Sequence, residues 1–237
     1  MVGCCAPLSR DNELLDAGFS FIEPKFSDLQ TSSVHHLPVY AVNNLIPRNL
    51  SFFGPNSSYS EIKHLTESIF RTARANQTKI LTLGSGKCRT SKAPKKDREI
   101  WIDYLYFIES LCSKNNLQVG IEPLAKEETN FINTIEETIR FLDEAKFPHV
   151  GITADIYHFN KEKDSLKTLE KYISKVVHVH ISDENRDFPC FINPNLKSFL
   201  KTLSSNGYKG AVSIEIDWRK ELNINSEIVY ELQKMGF

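Results

Sequence analysis

The sequence lacks a long apolar run, and it lacks an excess of charge of either sign. Its 237 residues contain 29 Lys and Arg against 30 Asp and Glu, which gives a formal net charge of −1. This balance argues against a protein that binds a polyanionic backbone, so we expect no nucleic-acid partner. No segment approaches the roughly 20 apolar residues of a membrane span, and no basic segment followed by an apolar run begins the chain. We therefore expect no membrane association and no export.

The sequence also lacks an obvious set of paired cysteines. The five cysteines are odd in number and include no CxxC pair. Because disulfides are rare in reducing compartments, this pattern predicts free thiols and a cytoplasmic location. A homo-oligomer stays open, because a sequence alone does not separate aromatic residues of an interface from those of a core.

The most informative segment that is present covers residues 176–186. Apolar and polar residues alternate in its first half, as a β-strand requires. The polar face consists of His178, His180 and Ser182.

Residues 117–122, 150–155 and 211–217 repeat this design, with an apolar face and a small or polar face. Each of these segments carries a carboxylate near its C-terminal end. In a barrel of parallel strands the inward row lines the interior and the strand ends share one rim. Four side chains are then expected to converge at the C-terminal mouth, namely Glu122, Asp155, His180 and Glu215.

Eight predicted strands alternate with helical patterns along the chain, without a linker or a shift in composition. This order predicts an α/β protein, a single (β/α)8 TIM barrel that covers residues 1–237. Ser58 with Glu61, Asn133 with Glu136, and Ser165 are the predicted caps of three of its helices. The predicted strands cover residues 2–5, 19–23, 39–42, 80–83, 117–122, 150–155, 176–182 and 211–217.

Two glutamates, one aspartate and one histidine form a mixed oxygen and nitrogen ligand set. Such a set suits one divalent metal ion, and Mn²⁺, Mg²⁺, Co²⁺ and Zn²⁺ all stay open. A metal at the mouth of the barrel could chelate neighbouring oxygens of a sugar and stabilise an enediolate. Carboxylates on opposite sides of the reacting carbon could remove and return its proton.

Four short motifs resemble one known family when they are taken together. They are Ile121-Glu122-Pro123-Leu124, Asp155-Ile156-Tyr157-His158, His178-Val179-His180 followed by Arg186, and Gly207-Tyr208 leading into Ser213-Ile214-Glu215. The chain is similar to the sugar phosphate isomerase/epimerase family, whose members have a xylose-isomerase-like TIM barrel, and the likeness extends to ketose 3-epimerases. The resemblance covers the chain from about Gly18 to its end.

The resemblance implies roles for individual residues. Glu122 and Glu215 would be the catalytic pair that exchanges the substrate proton from opposite faces, and Glu122, Asp155, His180 and Glu215 would bind the metal. The expected substrate is a small keto sugar or sugar phosphate. The residues implied to contact its hydroxyls or its developing oxyanion are Glu128, His158 and Arg186.

Two loops near the predicted mouth also bear on ligand binding. Arg89 follows the glycines of the 84–86 loop and is a candidate for ligand contact. Residues 187–191 replace the glycine-rich loop that family members often carry after the arginine. The substrate identity, and the choice between epimerase, aldose–ketose isomerase and dehydratase, therefore stay open.

Other interpretations accompany these expectations. An inward carboxylate of a barrel is often a structural ion-pair partner, although four strands that end alike favour a metal. His178 lies one pleat deeper than His180 and is expected to be a hydrogen-bonded interior residue. An endonuclease IV-like metallo-hydrolase of abasic DNA is disfavoured by the near-neutral charge and the few histidines. A non-catalytic sugar-binding barrel is disfavoured by the presence of both candidate carboxylates.

Overall fold

The computed structural model describes residues 1–29, 35–143, 147–220, 224 and 226–237. Within these residues eight strands form one sheet, as the sequence pattern predicts. They are β1 Val2–Cys5, β2 Phe21–Glu23, β3 Ala41–Val42, β4 Ile80–Leu83, β5 Gln118–Ile121, β6 Val150–Asp155, β7 Val176–Ile181 and β8 Val212–Glu215.

All neighbouring strands pair in parallel, in the order β2-β1-β8-β7-β6-β5-β4-β3. The two outer strands, β2 and β3, approach each other through isolated parallel bridges between Ile22 and Val39 and between Lys25 and Asn43. The sheet is therefore a nearly closed barrel, which confirms the α/β TIM barrel expected from the sequence.

Helices follow most strands and cover the outside of the barrel. Within the described residues none of these helices has both the length and the apolarity that a bilayer crossing needs. They are α1 Asp11–Asp16, α2 Phe26–Leu29, α3 Tyr59–Ala75, α4 Pro94–Asn115, α5 Ile135–Leu142, α6 Ile156–Lys161, α7 Leu166–Lys171, α8 Pro194–Ser205 and α9 Ser226–Lys234, with 3₁₀ turns at Leu8–Arg10, Gly86–Arg89 and Ile173–Lys175.

The predicted helix caps agree only in part with the structure. Ser165 caps α7 as expected, because its hydroxyl accepts a hydrogen bond from Lys167 N. Ser58 stands at the N-cap of α3, but its backbone (φ −96°, ψ 27°) is not extended and its side chain makes no capping bond. The predicted capping box of Ser58 and Glu61 is therefore wrong, although the helix itself begins at the next residue.

The core lies between the barrel and its helices. Trp101 and Tyr104 of α4 are almost fully buried, and their rings pack 5.3 and 4.7 Å from that of Phe52, between centroids. Edge-to-face pairs of this kind add about 0.5–1.5 kcal/mol beyond the burial of their area. This packing holds the segment before α3 against α4.

Candidate active site and metal centre

The polar ends of four strands meet at the C-terminal rim of the barrel. Asp155 and Glu215 are the last residues of β6 and β8, His180 lies near the end of β7, and Glu122 directly follows β5. Asp155 pairs in register with His180, which sets these two side chains side by side. One ligand atom from each of the four residues lies within 4.8 Å of the others. The structure thus brings together the four residues that the sequence singles out.

His180 lies between the two glutamates of this group. Its Nδ1 is 3.0 Å from Glu122 Oε1 and 3.6 Å from Glu215 Oε2. Strands β6 and β7 separate β5 from β8, so the two carboxylates approach the imidazole from different parts of the rim. The carboxylates of Glu122 and Glu215 therefore lie on two sides of His180 Nδ1.

Arg186 is the cation that faces this cluster. Its guanidinium forms ion pairs with Asp155 Oδ2 at 2.7 Å and with Glu215 Oε2 at 2.8 Å. The face of the Tyr157 ring lies 4.2 Å from its central carbon, which adds a cation–π contact. Arg186 thus offsets part of the negative charge that three neighbouring carboxylates create.

The carboxylates of the cluster differ in their protonation. Burial raises the pKa of Asp155 to about 6, although the charge of Arg186 acts in the opposite direction. Burial also raises the pKa of Glu122, and the negative charge of Glu215 adds to this effect. For Glu215 burial is outweighed by Arg186 and His180, which lower its pKa to about 2. The cluster therefore has more acidic groups than its own cations can keep fully ionised.

The donor atoms fit a divalent metal ion. Asp155 Oδ2 and Glu215 Oε2 are buried, and their close cationic partner is the guanidinium of Arg186, which makes no well-aligned hydrogen bond to either oxygen. An ionised carboxylate oxygen is an acceptor only, and one guanidinium beside three buried carboxylates leaves a deficit of positive charge that a divalent ion would offset. Three carboxylates and one imidazole are a ligand set that Mn²⁺, Mg²⁺, Co²⁺ or Zn²⁺ can use.

Glu23, at the end of β2, is a site residue that the sequence analysis missed. Its carboxylate is completely buried and lies 3.1 Å from His180 Nε2 and 2.7 Å from His178 Nε2. Ser213 Oγ donates a third hydrogen bond at 2.6 Å. Burial alone would raise the pKa of Glu23, but the two imidazoles lower it well below its usual range. His178 is accordingly an interior residue that bonds to Glu23, as expected.

The two nitrogens of His180 have different carboxylate partners. Nε2 lies beside Glu23 at 3.1 Å, whereas Nδ1 faces the cluster and lies 3.0 Å from Glu122. Nδ1 is therefore the nitrogen that a metal bound in the cluster would meet, while Glu23 accepts from Nε2. A sequence signal for this arrangement existed, because Ile22-Glu23 ends β2 in the same way as Ile121-Glu122 and Ile214-Glu215 end their segments.

The residues implied to contact substrate line a cavity beside the cluster. Its volume is about 330 Å³, and Glu128, His158 and Arg186 line it together with Glu122 and Glu215. His158 Nδ1 accepts a hydrogen bond from Ala125 N at 3.1 Å. Burial lowers the pKa of His158, so its neutral ring carries the proton on Nε2.

Nε2 of His158 is close to several polar groups of the cavity. It lies 3.7 Å from Asp155 Oδ2 and 3.8 Å from Glu128 Oε1. One guanidinium nitrogen of Arg186 is 3.1 Å away. Both His158 and Arg186 therefore offer N–H groups in the same part of the cavity.

Arg89 is not part of this cavity. Its side chain is completely buried, and one guanidinium nitrogen donates to the backbone oxygen of Glu122 at 2.8 Å. Burial lowers its pKa to about 10. The structure thus places Arg89 behind Glu122, whereas Arg48 and Lys87 are the cations that line the cavity on this side.

Comparison with known proteins identifies sugar epimerases as relatives. The chain is 31% identical over 120 residues to 3-dehydro-D-guloside 4-epimerase of Escherichia coli (strain K12), and the aligned segment covers 50% of this chain and 46% of the relative. It is 30% identical over 105 residues to ketose 3-epimerase of Arthrobacter globiformis, and this aligned segment covers 44% of this chain and 36% of the relative. The chain thus matches less than half the length of either relative.

Solved structures share the fold over almost the whole chain. The apo form of 3-keto-D-glucoside 4-epimerase from E. coli superposes with a TM-score of 0.79 at 19% identity, over 98% of both chains. A zinc-bound structure of the IolI protein superposes with a TM-score of 0.77 at 18% identity, over 99% of this chain and 95% of the other. At these identities the likeness concerns the fold alone.

A family description matches nearly the full sequence. The pattern named xylose isomerase-like TIM barrel covers residues 13–235. This match agrees with the nearly closed parallel barrel and confirms the resemblance seen in the sequence motifs. The chain belongs to the xylose isomerase-like TIM barrel family.

Proposed function

We propose that the protein is a divalent-metal-dependent isomerase or epimerase of a small keto sugar or sugar phosphate. The observation that supports this most is the position of Glu122 and Glu215, whose carboxylates flank His180 Nδ1 from different strands at the edge of a cavity. The similarity to sugar epimerases and the family membership point to the same reaction class.

The proposed reaction begins with removal of a proton from the carbon beside the substrate carbonyl. The carboxylate of one glutamate accepts this proton, the C–H electron pair forms a carbon–carbon double bond, and the carbonyl oxygen gains negative charge. In an epimerisation the other glutamate returns a proton to the opposite face of the same carbon, and the oxyanion forms the carbonyl again. In an isomerisation a proton is added to the former carbonyl carbon, while the hydroxyl proton of the neighbouring carbon passes to the oxyanion, so the carbonyl moves to that neighbour. The first step is the same in both cases.

Glu122, Asp155, His180 and Glu215 are the proposed ligands of the metal. A divalent ion bound there would supply positive charge that polarises the substrate carbonyl and favours loss of the neighbouring proton. Glu23 holds the His180 ring in the orientation that points Nδ1 towards the other proposed ligands. Each buried carboxylate of the site thus has a proposed role, either as a metal ligand or, for Glu23, as the partner that orients His180.

The cavity residues have proposed roles in substrate binding. The guanidinium of Arg186 and the Nε2–H group of His158 donate to substrate oxygens, including the oxygen on which charge develops. Glu128, whose half-exposed side chain lines the cavity, accepts a hydrogen bond from a substrate hydroxyl. Together these groups hold the reacting carbon between Glu122 and Glu215.

Solvent exchange tests the proposal directly. The purified protein, loaded separately with each of the four candidate metals, is incubated in D₂O with a panel of keto sugars and their phosphates. We expect at least one substrate to gain deuterium beside its carbonyl, as measured by mass spectrometry and NMR. Glu122→Gln and Glu215→Gln should abolish the gain, whereas Glu136→Gln on the exposed face of α5 is the matched control. Sugar binding without exchange in any metal form would favour a non-catalytic sugar-binding barrel instead.

A further inference from the structure

A second cavity adjoins the first and is larger. Its volume is about 810 Å³, against about 330 Å³ for the cavity described above. The two cavities share Asn43, Asn44 and Glu215. Cavities that bind small molecules typically measure ~300–1,000 Å³, so the first is already large enough for a monosaccharide. A monosaccharide bound at the metal ligands would leave most of the second cavity empty.

Asn43 lies where the two cavities meet and has an unused hydrogen-bonding group. Its side chain is almost completely buried, yet its Oδ1 has no donor within the described part of the chain. Its backbone is fixed, because its N–H donates to Pro24 O and its carbonyl accepts from Phe26 N, each at 3.1 Å. A buried amide oxygen without a partner is unfavourable. A hydroxyl group of a bound ligand would supply the missing donor.

The charged groups of the second cavity do not favour an anion. Asp11 is paired with His36 at 3.0 Å, and Asp217 is paired with Arg219 at 2.7 Å. Lys25 and Asp28 carry opposite charges, and Glu23 and Glu215 also line the cavity, so acidic side chains outnumber basic ones there. A phosphate or carboxylate group would need a positive excess that these residues do not provide. A neutral polar group fits this lining better.

Trp218 forms part of the wall of the second cavity. Its indole Nε1 donates to Cys5 O at 2.6 Å, and the guanidinium carbon of Arg10 lies 5.1 Å from the ring centroid. These two contacts fix the orientation of the ring. A rigid aromatic surface with polar groups around it is suited to a pyranose, which has apolar C–H faces and a rim of hydroxyls.

We propose that the second cavity binds a second, neutral sugar unit, so that the substrate is a keto-glycoside rather than a free keto sugar. This inference rests on the proposed function, because it requires the keto ring to occupy the first cavity beside Glu122 and Glu215. The second sugar packs along Trp218. Asn43 accepts a hydrogen bond from a hydroxyl close to the linkage between the two units.

A series of three substrates that share one keto ring tests this assignment. They are a free keto-hexopyranose, its methyl glycoside and a disaccharide in which the same ring carries the ketone. The rate of solvent deuterium exchange is measured for each with the metal-loaded enzyme. We expect kcat/KM to be at least tenfold higher for the disaccharide than for the free keto sugar. Equal values, or a preference for the free sugar, would overturn the proposal.

Two variants on one helix localise the effect. Asn12 is exposed on α1 and lines the second cavity, so Asn12→Trp narrows it. We expect this change to lower the ratio of disaccharide to free-sugar kcat/KM about tenfold. Leu15→Trp makes the same substitution at an exposed position of α1 that does not line either cavity, and it should leave the ratio unchanged. A ratio that both variants leave at the wild-type value would contradict the second site.

Calorimetric binding separates failure of this inference from failure of the proposed function. The parent disaccharide has a hydroxyl group in place of the ketone and therefore cannot react. Its binding to the metal-loaded wild type, Asn43→Ala and Asn12→Trp is measured by titration. At least tenfold weaker binding by both variants supports the second site even if no substrate exchanges deuterium, in which case only the proposed function fails. Exchange with the free keto sugar, together with disaccharide binding that neither variant weakens, leaves the function intact and overturns the second site.

Discussion

Glu23 Oε1 lies 3.1 Å from His180 Nε2, and both side chains are completely buried. A carboxylate in this position fixes the tautomer and the rotation of the ring, and such partners are common behind metal-binding histidines. Since Glu23 also bonds to His178 and Ser213, it is itself held in place from two strands. Glu23 is therefore a positioning residue for the proposed metal site.

The first prediction concerns Glu23→Gln. The amide can donate to His180 Nε2 and so favours the tautomer whose proton lies on Nδ1, where the metal would bind. We expect the affinity for the metal to fall about 10–100-fold, measured by equilibrium dialysis and elemental analysis. Ser213→Ala removes only one donor from Glu23 and should have a smaller effect. Wild-type affinity in Glu23→Gln would show that the carboxylate does not position His180.

The second prediction concerns Arg186, whose planar guanidinium joins Asp155 to Glu215. Lysine has a single ammonium group and cannot pair with both carboxylates in the same geometry. Arg186→Lys is therefore expected to lower kcat/KM about tenfold or more while the bound metal stays at the wild-type level. Arg140→Lys, on the exposed face of α5, is the control. Loss of metal from Arg186→Lys would assign Arg186 to the integrity of the metal site rather than to the substrate.

The strand ends show which residues of the site can be predicted from the sequence. Period-two alternation identifies strands, and parallel strands share a rim, so Glu122 and His180 could be assigned to one cluster from the sequence alone. Glu23 obeys the same rule and ends the predicted strand 19–23, but it was not predicted to join the cluster, because its role depends on contacts with His178 and His180 that only the fold brings about. Asn43 was not predictable as a buried group, because its burial depends on how the loop after β3 packs.

Helix starts were predicted less accurately than strands. Helix α5 is capped by Thr134, whose hydroxyl accepts a hydrogen bond from Glu137 N, and not by Asn133 with Glu136 as the sequence suggested. Asn133 is instead buried, and its side-chain amide donates to Leu124 O and Thr129 O. Adjacent Asn and Thr residues are both good caps, so tertiary contacts decide which one is used.

The third prediction concerns Gly84, which follows β4 directly. A Cβ atom at this position would clash with Glu122 Oε2, so Gly84→Ala must displace that carboxylate. Since a shift of about 1 Å in a reacting group can cost 10²-fold in rate, we expect deuterium exchange to fall at least tenfold. The melting temperature should change little, because the clash involves a side chain at the edge of a cavity. Full activity of Gly84→Ala would show that the position of Glu122 is not critical.

The fourth prediction concerns the pH dependence of stability at Asp11. Burial would raise the pKa of Asp11, but hydrogen bonds from His36 and Leu37 lower it below its usual value. The stabilisation is therefore complete above the pKa of an unfolded aspartate, about 3.9, and is lost as pH falls through the lower folded value. Asp11→Asn should lower the free energy of unfolding by about 1–3 kcal/mol at pH 7.

Urea unfolding of the wild type and Asp11→Asn at several pH values measures this difference. It should be present at pH 5 to pH 7 and should shrink towards pH 3, because the carboxylate of the unfolded chain then gains a proton before that of the folded chain. A difference that does not depend on pH would show that the hydrogen bonds to Asp11 do not require its charge.

The central claim is that one cluster binds the metal and moves the substrate proton. The most direct test measures the metal content of the wild type and of Glu215→Gln by elemental analysis, followed by deuterium exchange of both with the sugar panel. The account predicts one divalent ion per chain and exchange in the wild type, with loss of both in the variant. A wild-type protein that takes up none of the four metals and exchanges no substrate would contradict it and would identify the cluster as structural.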